Sequence, residues 1–428
     1  MSEQTPEDWC TPKRVKLSIG SRFGRVARME TQAAGQHTGS VIPVTHYVSH
    51  FAPLGGVQTL LRRHLESDAK HGLDTDVVAF FDPPPPSQPR VCAVGLDWKS
   101  TVASARKKFG ARLCEDGKPT AVYHNLWGVP FLADLDGADR RIGVMHVYPA
   151  VLRDCLAGNA GLLDGVLCVS QPLKELVHRY LPDLEPSRVA IVPLPIARCP
   201  IQVERPPLQG RPVVIGVSGR LVKEQKRIDR LPKLVSVLDQ ARLNYRLELL
   251  GDGPDQSWLE RQLAGHPKVF FHGRQDGEAY WKIVAAWDAV LFVSDFEGLP
   301  LSLLEALSAG VLPVYPRIES GGDSYVQGVN PDFLYDLDDY ERVAAILAEI
   351  RSADEPRLQC WRAACRSAAE PHTSDAYDRV YANFVRQIRA APRVSNAQLP
   401  RRKFYLSDFL PFMILGRVYL RGFYRSNA

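Results

Sequence analysis

Ser294-Asp-Phe-Glu-Gly-Leu-Pro-Leu-Ser-Leu-Leu-Glu-Ala-Leu-Ser-Ala-Gly310 is the stretch whose reading decides the fold. An apolar strand, Ala289 to Val293, runs into a short loop and then a helix. Pro300 suits the first helical position, where a missing N–H is no loss, and Leu301, Leu304, Ala306 and Leu307 mark an apolar flank ended by Gly310. Glu297 then lies in the loop at the positive end of the helix. Glu305 lies about one and a half turns inside, at roughly 3.6 residues per turn. Two carboxylates flank a natural anion site; the bland reading is a capping Glu297 and a solvent-facing Glu305.

Outward from this stretch, apolar strand-like runs alternate with helical or loop segments. In the first half they are Val41 to Ser49, Thr75 to Phe81, Val91 to Val94, Thr120 to Tyr123, Ile142 to Val147 and Val166 to Val169. Such alternation predicts α/β architecture with parallel, doubly wound sheets. Val213 to Ser218 opens a second series that includes Leu247 to Leu250, Val269 to His272 and Val311 to Tyr315, and helices Tyr340 to Ile350, Arg357 to Ala369 and Asp375 to Arg389 close it. The proline-rich residues 193–212 read as a linker between domains 41–192 and 213–390. Residues 1–40 read as a loosely attached arm, Pro83 to Pro86 as a stiff surface loop, and 391–428 as a basic, aromatic tail.

The eight cysteines have no Cys-x-x-Cys spacing and read as reduced thiols. With no secretory start and no uncharged apolar run of about 18 residues, the expected setting is cytoplasmic, or peripheral on the inner membrane face. The formal charge of +5 equals that of residues 401–428, six basic residues against Asp408. Interleaved with Phe404, Tyr405, Phe409, Leu410, Phe412, Tyr419 and Phe423, these cations suit an anionic membrane surface through 401–425. Packing of the same segment on the first domain is the other expectation. No nucleic-acid partner is expected.

The spacing of Glu297 and Glu305 within Glu-Gly-Leu-Pro-Leu-Ser-Leu-Leu-Glu-Ala, followed by Gly321-Gly322, resembles the signature of family 4 retaining glycosyltransferases, glycosyl transferases group 1. The resemblance covers roughly residues 41–390 and implies the GT-B fold, two Rossmann-like domains facing across a cleft. It extends to the glycine turn Pro53-Leu-Gly55-Gly56-Val57, whose paired glycines would let the backbone approach the donor diphosphate. It also takes in Gly219-Arg220-Leu-Val-Lys-Glu-Gln-Lys226-Arg227, where Arg220 and Lys226 match the diphosphate-binding pair. Paired cations there would stabilise the leaving diphosphate. His146 matches the histidine that contacts the donor sugar or its phosphate, and His124 is a weaker match. The resemblance places the base near His272, Gly273 and Arg274, the ribose on Glu305, and the transferred sugar against Glu297, Gly298 and Leu299. Amides near Ser302 would share the phosphates. It also implies a late helix returning across the first domain.

Two departures stand out: Leu194-Pro195 replaces the usual Asn-Gly after Pro193, and Arg227 stands where glycine is common. Asp74-Thr-Asp76, Asp134-Leu-Asp136 and Asp336-Leu-Asp338 lack the rest of a metal-dependent pattern, so neither metal nor cofactor is expected. The implied activity is retaining, hexosyltransferase-type transfer from a UDP- or GDP-sugar to a glycan or lipid-linked hydroxyl, in cell-surface polysaccharide or lipopolysaccharide synthesis. Two alternatives share these residues. One is a catalytically idle GT-B subunit binding nucleotide-sugar or a partner transferase. The other is a GT-B nucleotide-sugar epimerase, against which the Glu297 to Leu304 loop argues.

Overall fold

The computed structural model describes residues 41–51, 55–82, 89–110, 119–147, 156, 160–201, 205–394 and 409–411. The N-terminal arm, the Pro83 to Pro86 loop and most of the tail lie outside the described residues. Seven parallel strands form the first sheet: β1 (Ile42–Val48), β2 (Leu73–Ala79), β3 (Val91–Ala93), β4 (Thr120–His124), β5 (Arg140–Met145), β6 (Gly165–Cys168) and β7 (Val189–Ile191). Their order is β3-β2-β1-β4-β5-β6-β7. The second sheet has six: β8 (Val213–Ser218), β9 (Tyr245–Leu250), β10 (Val269–Gly273), β11 (Ala289–Leu291), β12 (Leu312–Pro316) and β13 (Leu334–Tyr335), in the order β10-β9-β8-β11-β12-β13.

Parallel strands covered by helices on both faces read as continuous apolar runs, which is why β4, β6, β11 and β12 are buried at every position. In both sheets the winding direction reverses between the first and fourth strands, and open α/β sheets bind ligands beyond the strand ends at that point. In the first domain this places Gly55 and Asn125 beside the switch. In the second it places Gly219 and the loop after β11.

Element ends differ in detail from the sequence expectation. The helix of the deciding stretch runs Leu301–Ser308, with Pro300 extended at its N-cap rather than inside the first turn. The glycine loop expected at Gly321-Gly322 is instead the first turn of a helix, Gly321–Val329, set by a capping box of Ser320 and Asp323.

The helix Ser374–Ala390 packs on the first domain. Its Asp378 accepts both nitrogens of Arg63, at 3.1 and 2.5 Å, and Ile388 fills the space beside Gly165. The linker is anchored at the Leu194-Pro195 step: His372 Nδ1 bonds the Leu194 carbonyl at 2.8 Å, and Ile196 N–H donates to the His372 carbonyl at 3.3 Å. Leu194 is itself buried. The five described cysteines, 92, 168, 199, 360 and 365, are free thiols. Among the described residues no helix is long and apolar enough to cross a membrane.

Candidate functional site

At the strand ends of the second domain, Ser218, Gly219, Arg220, Lys226, Phe292 and Ser294 line a shallow, solvent-open cleft. Arg220 is exposed at its rim. Glu297 is only 5% exposed, so its charge needs partners. It has three: Lys226 Nζ reaches Oε1 at 2.6 Å, the Ser294 hydroxyl donates to Oε1 at 2.7 Å, and Gln225 Nε2 donates to Oε2 at 3.3 Å. The loop carrying the cations is stitched to the loop carrying the carboxylate, because Asp295 N–H also donates to the Gln225 carbonyl at 3.0 Å. The structure thus joins Lys226 and Glu297 as a pair.

Glu305, half-buried in the helix behind the loop, accepts the Tyr280 hydroxyl at 2.5 Å. Burial pushes its carboxyl up from 4.5 to about 7, against the opposing effect of the tyrosine hydrogen bond. Glu305 is neither solvent-facing nor ion-paired; it is a carboxyl held by one neutral donor. Such a group accepts two hydroxyl donors well once ionised.

The first domain meets the loops after β11 and β12 in close backbone contact. A Cβ on Gly298 would lie 1.7 Å from the His146 carbonyl oxygen, and one on Gly321 would lie 2.5 Å from Ser170 Cβ. Only glycine fits either position. Gly56, opening the helix Gly56–Ser67, faces Leu301, to which its Cβ would come within 3.2 Å. Gly56, His146 and Gly298 therefore lie where the two domains meet, with Gly55, Glu297, Leu299 and Ser302 next to them in sequence or one turn away. His272, Gly273 and Arg274 sit further out at the edge strand β10, with Gly273 tied to the β9 turn through Gly251 N–H at 2.8 Å. Arg274 points to solvent, pairing loosely with Asp276 at 3.3 Å.

His146 is 8% exposed, and its ring is bonded through Nε2 to His124 Nδ1 at 2.8 Å. Burial, then the neighbouring His64, holds it near 4, so the ring is neutral. Its main-chain N–H donates to Asn125 Oδ1 at 2.9 Å. His124 is likewise buried and its pKa is lowered well below the ordinary value, chiefly by burial and then by His146.

Among the described residues one group, His46, His64 and Asp68, brings three metal-type ligand atoms within 4.8 Å of one another. Each ring nitrogen of that group already has a partner: His124 and Tyr381 for His46, Asp68 and Tyr377 for His64. Hydrogen bonding accounts for the cluster. The Asp-x-Asp pairs serve ion pairs and turns: Asp134 binds Arg106, Asp136 binds Arg141, Asp338 binds Arg230, Asp336 meets Arg317 and Asp74 meets Arg90.

Sequence reading missed Tyr280, Gln225, Ser294 and Asn125. Ser294 alone carried a signal, three residues before Glu297 at the strand end; the others depend on which loops fold together.

Two doubly wound parallel-sheet domains of seven and six strands, with the Lys226 to Glu297 pair beside their contact at Gly298, make up the GT-B fold. Residues 201–366 match the family described as glycosyl transferases group 1. A lipopolysaccharide 1,6-galactosyltransferase of Salmonella typhimurium is 28% identical over 188 residues, 40% of this chain and 50% of that protein. The chain thus spans about half the length of this curated relative. Among solved structures, a lipopolysaccharide outer core galactosyltransferase in its apo form superposes with a TM-score of 0.62 at 17% identity, covering 81% of this chain and 99% of that one. An Anabaena protein in complex with UDP and glucose gives 0.59 at 14% identity, over 81% and 100%.

Proposed function

We propose that the protein is a retaining, metal-independent family 4 glycosyltransferase. It moves a hexose-like sugar from a nucleotide-diphosphate sugar to a hydroxyl of a glycan or lipid-linked acceptor in lipopolysaccharide or related cell-surface polysaccharide synthesis. The observation that carries this reading is the Lys226 to Glu297 pair, 2.6 Å apart at the cleft beneath the first-domain contact at Gly298. The galactosyltransferase relatives support the pathway, and the UDP complex supports a UDP-sugar donor.

In this reading Arg220 and Lys226 bear the donor diphosphate, whose negative charge grows as the bond from the sugar's anomeric carbon to phosphate oxygen breaks. Lys226 exchanges part of its bond to Glu297 for a phosphate oxygen, and the freed lone pairs of Glu297 face sugar hydroxyls. Glu305 ionises and accepts the ribose hydroxyls, and amides near Ser302 share the phosphates. His146 meets the donor from the opposite domain. The acceptor hydroxyl attacks on the leaving-group side, and its proton passes to the departing phosphate oxygen, so no protein base is required.

The tail reading belongs here as well. Pro411 forms an antiparallel bridge with Thr101, which brings residues 409–411 onto the first domain while Phe409 and Leu410 stay 63% and 41% exposed. Exposed Trp98, three residues before Thr101, adds to the apolar surface. The bridge supports the packing alternative for residues 409–411, and the membrane-docking reading rests on the exposed Phe409, Leu410 and Trp98.

The test is release of UDP or GDP from a panel of nucleotide-sugars, comparing wild type with Glu297→Ala and Lys226→Ala. Cleavage of one donor, lost in both variants, is the expected result. Binding without cleavage, even with lipid acceptors supplied, would sink the transferase reading in favour of an idle subunit.

A further inference from the structure

His46, His124 and His146 form a diagonal row across the first sheet. His46 on β1 pairs in register with Val122 on β4, and His124 stands two residues beyond it. His124 pairs with Val144 on β5, and His146 again stands two residues beyond. Residues two apart in a strand share a face, so all three rings lie on one side of the sheet, each step one strand over and nearer the cleft. The rings are nearly parallel, with centroids 5.2 and 5.1 Å apart.

The row is linked end to end. Tyr381, on the helix returning from the second domain, bonds His46 Nε2 at 3.0 Å. His46 Nδ1 bonds His124 Nε2 at 2.9 Å, and His124 Nδ1 bonds His146 Nε2 at 2.8 Å. His146 Nδ1 has no hydrogen-bond partner among the described residues.

A neutral imidazole has one N–H and one lone pair, so a row of them has a single polarity set at one end. Burial keeps all three rings neutral, with His64 opposing their protonation from the side. At the far end, His46 is the one hydrogen-bond partner of the fully buried Tyr381 hydroxyl among the described residues. If the ring donated to the phenol, the phenolic proton would be buried without an acceptor, at a cost of about 1–3 kcal/mol. Tyr381 therefore donates to His46 Nε2. Polarity then passes along: His46 Nδ1–H to His124 Nε2, and His124 Nδ1–H to His146 Nε2.

We infer that Tyr381, His46 and His124 are positioning residues that lock His146 in its Nδ1–H tautomer, giving the cleft a neutral hydrogen-bond donor in place of a base or a cation. That the N–H meets a sugar or phosphate oxygen of a nucleotide-sugar rests on the function proposed above. The locking itself does not. It also gives the late helix a chemical task, since Tyr381 lies 335 residues from the histidine it bonds.

The test is long-range proton–nitrogen NMR correlation on the full chain labelled with ¹⁵N-histidine, with single histidine variants for assignment. All three rings are expected to carry the proton on Nδ1. Tyr381→Phe, which removes one hydroxyl from the row, should leave a folded protein in which His146 shows a mixture of tautomers. A proton on Nε2 of His146 in the wild type overturns the inference without any variant, and so does a His146 signal unmoved by Tyr381→Phe. In calorimetry with UDP-galactose, UDP-glucose and GDP-mannose, whichever donor binds wild type should bind Tyr381→Phe roughly 3- to 10-fold more weakly, the scale of one hydrogen bond. Equal affinity would remove His146 Nδ1–H from the donor site. Failure of all three to bind wild type would count against the transferase reading, while the tautomer result would stand or fall on its own.

Discussion

Replacing Glu305 by glutamine should make the protein more stable and a poorer nucleotide binder, and the stability gain should depend on pH. The carboxyl is pushed up to about 7 by burial, from 4.5 ordinarily. Between those values the folded chain holds a proton that the unfolded chain has released. The stability this contributes is therefore full below about 4.5, declines as pH rises, and is gone above about 7. The span corresponds to roughly 3 kcal/mol at about 1.4 kcal/mol per pKa unit, and partial solvent access trims it to about 2. Glutamine stays neutral at every pH and still offers an oxygen to the Tyr280 hydroxyl. Wild type and Glu305→Gln should thus unfold together only near pH 4 and below, the variant's gain rising from under about 1 kcal/mol at pH 5 to about 2 kcal/mol at pH 8. For a domain of this size that is roughly 4–8 °C in midpoint. Calorimetric scans at pH 5, 6, 7 and 8 measure it. Equal midpoints at pH 8, or a constant offset at all four, would refute the reasoning. The same variant should lose about tenfold or more in nucleotide affinity, because a charged acceptor for hydroxyls becomes a neutral one.

Gly298→Ala should abolish donor cleavage with both domains folded, since its Cβ would lie 1.7 Å from the His146 carbonyl; an unchanged rate and an unchanged scattering radius would contradict this. Lys226→Ala should lower turnover by about 10²–10³, the scale of losing one charge-stabilising donor. It should also cost stability, because Glu297 keeps only Ser294 and Gln225; chemical denaturation reads the loss directly. Transfer should persist in excess chelator with Arg220 and Lys226 doing the neutralising, and complete loss would show that a metal is needed. A chain ending at Pro400 should remain folded and bind anionic vesicles more weakly than the full chain, whereas equal binding in a flotation assay would dismiss the tail as a membrane contact.

What the sequence made legible was whatever sits at the end of an apolar run. β8 and β11 are continuous hydrophobic stretches because helices cover both faces, so Gly219 and Glu297 could be placed at strand ends by inspection. His146 also stands at a strand end, but the family resemblance was what singled it out. The identity of partners was harder. Glu297 and Lys226 could each be read as facing a ligand, but that they face one another depends on how two loops from different strands close. Tyr280 belongs to the helix Gly277–Ala286, whose residues carried no marker of the cleft. The histidine row was invisible for a stricter reason: its anchoring hydroxyl comes from the last helix of the second domain's stretch of sequence, and no local pattern records where such a helix lands. Pro300 was misplaced by one position because proline's fixed φ suits an extended N-cap as well as a first helical residue.

Arg227 stands in a turn where glycine would be the unstrained choice. Its φ of 49° is left-handed, a conformation that costs a side-chain-bearing residue roughly 1–2 kcal/mol relative to glycine. The guanidinium answers this locally. It binds Asp229 at 3.0 Å and Asp295 at 2.7 Å, and both aspartates raise its already high pKa. Two carboxylates therefore hold the Arg227 charge. Asp295 also pairs with Arg230 at 2.6 Å, and its neighbour Glu297 pairs with Lys226. The strained turn is thus one end of a charge ladder that sets the cation-bearing loop against the carboxylate-bearing loop. Glycine would permit the turn. Arginine permits it at a cost and, through Asp295, also fixes the register in which Lys226 meets Glu297.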